Sequence, residues 1–191
     1  SLLIQCCESL LARGHEVRAV VAENRRIAQW CEQRGVPCFD DFNALREAPQ
    51  AASFDYLMSI TNLRMLPQWL LERPAKLAVN FHDGPLPRYA GLNAPVWALI
   101  NGESEYGITW HEMVAGADKG RILVNRRFAV AADETVFGLN AQCYQAGLAA
   151  FNELIEQLES GAVAPQEQDF AQRSYFGLSQ RPPAAATLDW N

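Results

Sequence analysis

At 191 residues the chain is the size of one domain, or of one domain with a short appendage. Hydrophobic residues make up 49% and charged residues 20%, a composition that excludes disordered and fibrous chains. Sixteen basic against 22 acidic residues give a net charge of −6, which argues against a broad nucleic-acid footprint. No apolar run reaches the roughly 20 residues of a membrane-spanning helix. The five cysteines are odd in number and form no CxxC pair, and with only three histidines no metal site is expected. No targeting segment is visible, and a reducing, cytoplasmic setting is expected.

In chain order, Leu2, Leu3, Cys6, Leu10 and Leu11 recur at helical spacing, and Arg13-Gly14 closes that helix. Val17–Ala22 reads as a short buried strand. A buried parallel strand is expected to precede such a helix, so a first strand is expected ahead of Ser1. Residues 25–34 read as a helix closed by Gly35, Val36–Phe39 as a strand, and 43–47 as a brief helix. Strands are predicted over 54–60 and 76–82, with a helix over 67–72 between them. A Gly/Pro-rich loop, Asp83 to Gly91, leads to a helix over 94–100. Strands over 106–113 and 121–130 precede a long helical pattern over 134–160, in which Gly138 and Gly147 are soft spots. Strands alternating with helices predict an α/β fold with a mostly parallel sheet covered by helices on both faces. Two parts are expected: a catalytic domain over residues 1–161, and an extended strap or linker over residues 162–191, marked by its prolines and by Tyr175, Phe176 and Trp190.

Parallel sheets bind ligands at the carboxyl ends of their strands. The strand over 76–82 ends in Asn80-Phe81-His82, and residues two apart share a face. An amide and an imidazole so placed can donate hydrogen bonds to an oxygen that turns negative, and the imidazole can also move a proton. The plainer alternative is a strand-end histidine capped by a loop carbonyl. His111 lies on a later strand, and Asp118 follows in a glycine-flanked loop where a carboxylate can orient an imidazole. Each also has an ordinary reading, as a core histidine and a turn aspartate.

Taken together, Asn80-x-His82, Leu86-Pro87-x-Tyr89-x-Gly91, Pro95-x-Trp97-Ala98, Asn101-Gly102, Gly107-x-Thr109-x-His111 and Asp118-x-Gly120 resemble the 10-formyltetrahydrofolate-dependent formyltransferases. The resemblance implies a Rossmann-like formyltransferase fold, with the missing first strand belonging just before Ser1. It implies formyl transfer from 10-formyltetrahydrofolate to an amine, with Asn80, His82 and Asp118 matching the catalytic trio and no metal involved. It also implies a folate pocket at Leu63, Arg64, Met65 and Leu66, with Leu86, Asn80 and the loop Val114, Ala115, Gly116, Ala117 and Asp118. Gly84-Pro85 departs from the Ser-Leu of many relatives, and Leu92 stands where an arginine is common.

The spelling from His82 to Pro95 is most similar to formylation domains of nonribosomal peptide synthetases. There the acceptor is an aminoacyl group on a carrier-protein phosphopantetheine arm. Nucleotide-sugar amines and initiator methionyl-tRNA are alternative acceptors, and the net charge of −6 disfavours the tRNA. Glycinamide ribonucleotide fits less well, because its phosphate site would lie ahead of Ser1. Hydrolysis of the same folate would need the same trio, and a silent folate-binding module or a dinucleotide oxidoreductase would also suit the sheet. Arg88, Tyr89 and Asn93 are candidates either for acceptor contacts or for anchoring their loop.

Overall fold

The computed structural model describes residues 1–182; the last part of the expected strap, including Pro183 and Trp190, lies outside the described residues. The elements follow in the order α1 (Leu2–Ala12), β1 (Val20–Val21), α2 (Arg25–Arg34), β2 (Cys38–Phe39), α3 (Phe42–Arg46), β3 (Tyr56–Ser59), α4 (Gln68–Leu71), β4 (Leu77–His82), β5 (Ala90–Gly91), α5 (Ala94–Ile100), β6 (Glu105–Glu112), β7 (Ile122–Ala129), α6 (Val136–Ser160) and β8 (Tyr175–Phe176).

Local chemistry explains the helix ends. Asn24 accepts from the N–H groups of Arg26 and Ile27 to start α2, and Gly35 in the left-handed region stops it. Asp41 caps α3 through Ala44, and Thr135 caps α6 through Gly138. Along α6 the buried residues Leu139, Cys143, Gly147, Ala150, Phe151, Leu154 and Ile155 recur three or four apart, which gives the helix one apolar face. That face packs on Phe81, Trp110 and Leu2 in the main core. No helix among the described residues is long and apolar enough to cross a membrane.

The fold is α/β, with helices on both faces of the sheet. A four-stranded sheet has the order β3-β4-β6-β7, and two short pairs, β1-β2 and β5-β8, flank it. The parallel expectation holds for β1-β2, β3-β4 and β5-β8. It is corrected at β6, which pairs antiparallel to β4, and at β7, which pairs antiparallel to β6. The loop joining β6 to β7 has no room for the crossover helix that a parallel return needs, so the chain folds straight back.

A cavity of about 700 Å³ lies between β1 and β3, walled by Leu3, Cys7 and Leu10 of α1, by Ile155 and Leu158 of α6, and by Phe42, Leu45 and Leu70 on the opposite side. Strand edges bound it on two sides and aliphatic helix faces on the others.

Candidate functional site

The site forms where β4 and β6 run side by side. In their antiparallel register Asn80 lies opposite His111 and His82 lies opposite Thr109. The period of two then puts all four side chains on one face. Asn80 Nδ2 is 3.1 Å from His111 Nε2. Thr109 turns its hydroxyl to the next loop, donating to the Gly84 carbonyl at 2.8 Å and accepting the Leu86 N–H at 3.1 Å.

The third member arrives from the β6–β7 loop. Asp118 sits in the left-handed region at φ +52°, which an aspartate tolerates better than most residues. Its Oδ2 accepts the Gly91 N–H at 2.8 Å. Its Oδ1 lies 3.5 Å from His111 Nε2 and 3.8 Å from His82 Nδ1. The 3.8 Å gap to His82 is longer than a hydrogen bond, so Asp118 acts on that ring through its charge. The structure thus brings Asn80, His82 and Asp118 together and adds His111 between the amide and the carboxylate.

The protons can be partly assigned from the partners. His82 Nε2 is 2.7 Å from the Tyr89 carbonyl, and a carbonyl only accepts, so Nε2 carries the hydrogen. Nδ1 is therefore the nitrogen of His82 that faces the acids. His111 Nδ1 likewise donates to the Glu112 carbonyl at 2.7 Å. With no proton on Nε2, His111 accepts from Asn80 Nδ2; with one, it donates to Asp118 and the Asn80 amide must turn its oxygen inward.

Burial pushes the Asp118 carboxyl up, but the bond from His111, the nearby His82 and the Gly91 N–H outweigh it and hold the group down at about 2. Asp118 is a standing anion. Asp83, whose Oδ1 lies 4.0 Å from His82 Nδ1, is a second acid beside the same imidazole. Burial raises its carboxyl above the ordinary range, His82 opposes that, and Asp118 adds to it. Sequence reasoning passed over Asp83, although its place directly after His82 was a signal.

The surrounding loop explains Gly84-Pro85. A Cβ on Gly84 would lie 2.7 Å from His82 Nε2 and 2.9 Å from the Tyr89 carbonyl, so a side chain there would collide with the bond that fixes the imidazole. Tyr89 is 2% exposed and its hydroxyl donates to Glu103 at 2.7 Å. Arg88 pairs with the same glutamate. Both residues anchor their loop.

The remaining predicted residues divide into two groups. Leu63 and Met65 are 86% and 74% exposed just after β3. Arg64 pairs with Glu23, and Leu66 turns into a cluster with Leu45, Ala51 and Leu70. Leu86 is buried with Ala90 and Ile122. Val114, Ala115 and Gly116 form the exposed rim of the Asp118 loop, with Ala117 half-buried behind them. Among the described residues no group of three His, Cys, Asp or Glu side chains is arranged to hold a metal ion.

Comparison with known proteins adds a family. A model described as formyl transferase matches residues 17–155. A methionyl-tRNA formyltransferase of Geobacter metallireducens is 30% identical over 199 residues, covering 95% of this chain and 63% of its own length. The chain therefore spans a little under two thirds of that curated relative. An N-formyltransferase from Helicobacter canadensis, solved with folinic acid and dTDP-3-aminofucose, superposes with a TM-score of 0.78 at 19% identity, over 93% of this chain and 68% of that one. HypX from Aquifex aeolicus, solved with tetrahydrofolic acid, gives 0.67 at 20% identity, over 85% of this chain and 29% of that one. At these identities the two structures speak for the fold alone.

Proposed function

Because the chain belongs to the formyl transferase family, we propose that it moves a formyl group from 10-formyltetrahydrofolate to a primary amine, with Asn80, His82 and Asp118 as the catalytic residues. The observation that carries this reading is the approach of Asp118 Oδ1 to within 3.8 Å of His82 Nδ1 and 3.5 Å of His111 Nε2, beside the Asn80 amide. The exposed Leu63 and Met65 supply the apolar surface for the pterin.

The amine nitrogen bonds to the formyl carbon, and the carbon–N10 bond then breaks to leave a formamide and tetrahydrofolate. Asn80 Nδ2–H stabilises the oxygen that becomes negative between those events, help worth about 100- to 1000-fold when a single donor is removed. His82 works through Nδ1, since Nε2–H is committed to Tyr89. Unprotonated, it accepts the proton that the attacking amine must lose; protonated, it can donate to the oxyanion or to the departing N10. Asp118, an anion throughout, stabilises the imidazolium form through its charge and fixes the orientation of the ring. Positioning and hydrogen bonding supply this chemistry.

For the acceptor we favour an aminoacyl group on a carrier-protein phosphopantetheine arm. The run from His82 to Pro95 supports this, as does a buried imidazole that a slender arm reaches more readily than a bulky macromolecule. The acidic balance of the chain disfavours charged tRNA. Such a protein would work in the cytoplasm.

An acceptor panel tests both levels. Labelled 10-formyltetrahydrofolate is supplied with an aminoacyl-loaded carrier protein, a nucleotide-sugar amine, initiator methionyl-tRNA, or water alone. Label on the carrier-bound amine is the expected outcome. Label on the sugar amine or the tRNA would keep the transferase and replace its acceptor, whereas release of formate in every arm would make the protein a hydrolase.

A further inference from the structure

We propose that the segment 166–176, which crosses the surface after α6, completes the catalytic site, with Arg173 and Gln168 as positioning residues that fix the backbone under Asp118. This rests on the formyl-transfer reading for the use made of the geometry, although the geometry has a readout of its own.

The Asp118 loop has no regular structure to hold it. Its carbonyls are instead gripped in succession from the segment. Arg173 donates from Nη2 to Ala117 O at 2.9 Å and from Nη1 to Asp118 O at 3.0 Å. Gln168 donates from Nε2 to Asp118 O at 3.0 Å and to Gly120 O at 2.6 Å. A loop held in this way can keep Asp118 at positive φ, with its carboxylate aimed between the two imidazoles.

Two details separate this arrangement from ordinary packing. Gln168 is buried, and among the described residues its Oε1 has no hydrogen-bond partner, a cost that an apolar residue would avoid. The Arg173 guanidinium lies against both Phe170 and Tyr175, at 5.9 and 5.6 Å from their ring centres, so its fork is braced before it reaches the carbonyls. These contacts give two half-exposed aromatics a task.

The same segment also holds the other side of the site. Ser174 Oγ accepts the Tyr89 N–H at 2.8 Å, and β8 pairs with β5 beside it. Phe176 stacks on Tyr89 with ring centres 5.4 Å apart. Tyr89 offers the carbonyl that fixes His82. One stretch of chain thus sets both the acid and the imidazole. The groups that face the Asp118 carboxylate are His82, His111, Asp83 and the Gly91 N–H. Among the described residues the hydrogen bonds of Arg173 go only to backbone carbonyls, so its charge pairs with no acid of the site.

The test compares Arg173→Ala, Arg173→Lys and Gln168→Ala with the parent protein. Formyl-transfer rates are read together with NMR signals from the Asp118 carboxyl carbon and the His82 and His111 rings, recorded without substrate. Arg173→Ala is expected to lower kcat by about 10- to 100-fold, the order that a 1 Å misplacement costs, with KM for the folate little changed. It is expected to move all three sets of signals, and added methylguanidine should restore both rate and signals. Arg173→Lys keeps the contact with the aromatics but loses the fork, so it should remain impaired; it carries the same comparison if the alanine variant does not fold. Parent-like kcat and unmoved signals in folded variants would overturn the proposal while leaving formyl transfer intact. Moved signals in a protein that transfers formyl to nothing would sink the transferase reading and leave the positioning role standing.

Discussion

Asp118 is the residue on which the local energetics turn. Its carboxyl is held at about 2, below the ordinary carboxylate value, so the native state gains stability that is complete above that ordinary value. The gain is lost as the pH falls from about 4 through about 2, and it amounts to about 2 kcal/mol for a group so little exposed. Urea unfolding of the parent and of Asp118→Asn should therefore differ most at pH 5 and above and converge by that amount towards pH 2; a constant difference would mean that the carboxylate is not held by the imidazoles. Gly84 is the second residue with a sharp expectation. Gly84→Ala puts a methyl against His82 Nε2 and should lower the transfer rate by about 10- to 100-fold through a displaced ring. Parent-like turnover in that variant would show that the bond from His82 to Tyr89 is dispensable. The pairing of Asn80 with His82 could be read from the sequence, because two residues apart on a strand is a fixed geometry. The position of His111 opposite Asn80 could not, because it depends on the direction and register of a strand far along the chain.

At the scale of elements, the helices are where the sequence was most informative. Periodicity and stops are local, so Gly35 marks the end of α2 and the pattern over 134–160 marks α6 closely. Strand direction is not local. The strand β6 is buried from Tyr106 to Glu112 and shows no alternation that would distinguish a parallel from an antiparallel neighbour. The available signal was the short loop over residues 113–121, too brief to return through a helix. Gly147 shows the opposite case, a residue whose sequence reading had the wrong emphasis. As a helix-interior glycine it reads as a weakness, yet a Cβ there would lie 2.6 Å from the Phe81 ring. The glycine lets α6 settle onto β4 next to the site. Gly147→Ala gains about 1 kcal/mol in helix propensity but loses about 1–3 kcal/mol to overpacking, so net destabilisation is expected in chemical unfolding. A stabilised variant would mean that the contact is slack.

Over the whole molecule, the sheet supplies the floor of the site and three separated stretches close it: the loop after β4, the loop before β7 and the segment after α6. The first two could be found from the sequence because their glycines, prolines and acids stand out. The third could not, because Gln168 and Arg173 carry no periodicity and act on carbonyls some 50 residues away in sequence. The most direct measurement is single-turnover formyl transfer from 10-formyltetrahydrofolate to the best amine of the panel, by the parent, Asn80→Ala and Asp118→Asn proteins, with folate affinity determined on the same samples. Each variant should be slower by about 100- to 1000-fold at nearly unchanged folate affinity. Variants as fast as the parent would show that the amide, the imidazole and the acid do not act on one carbonyl.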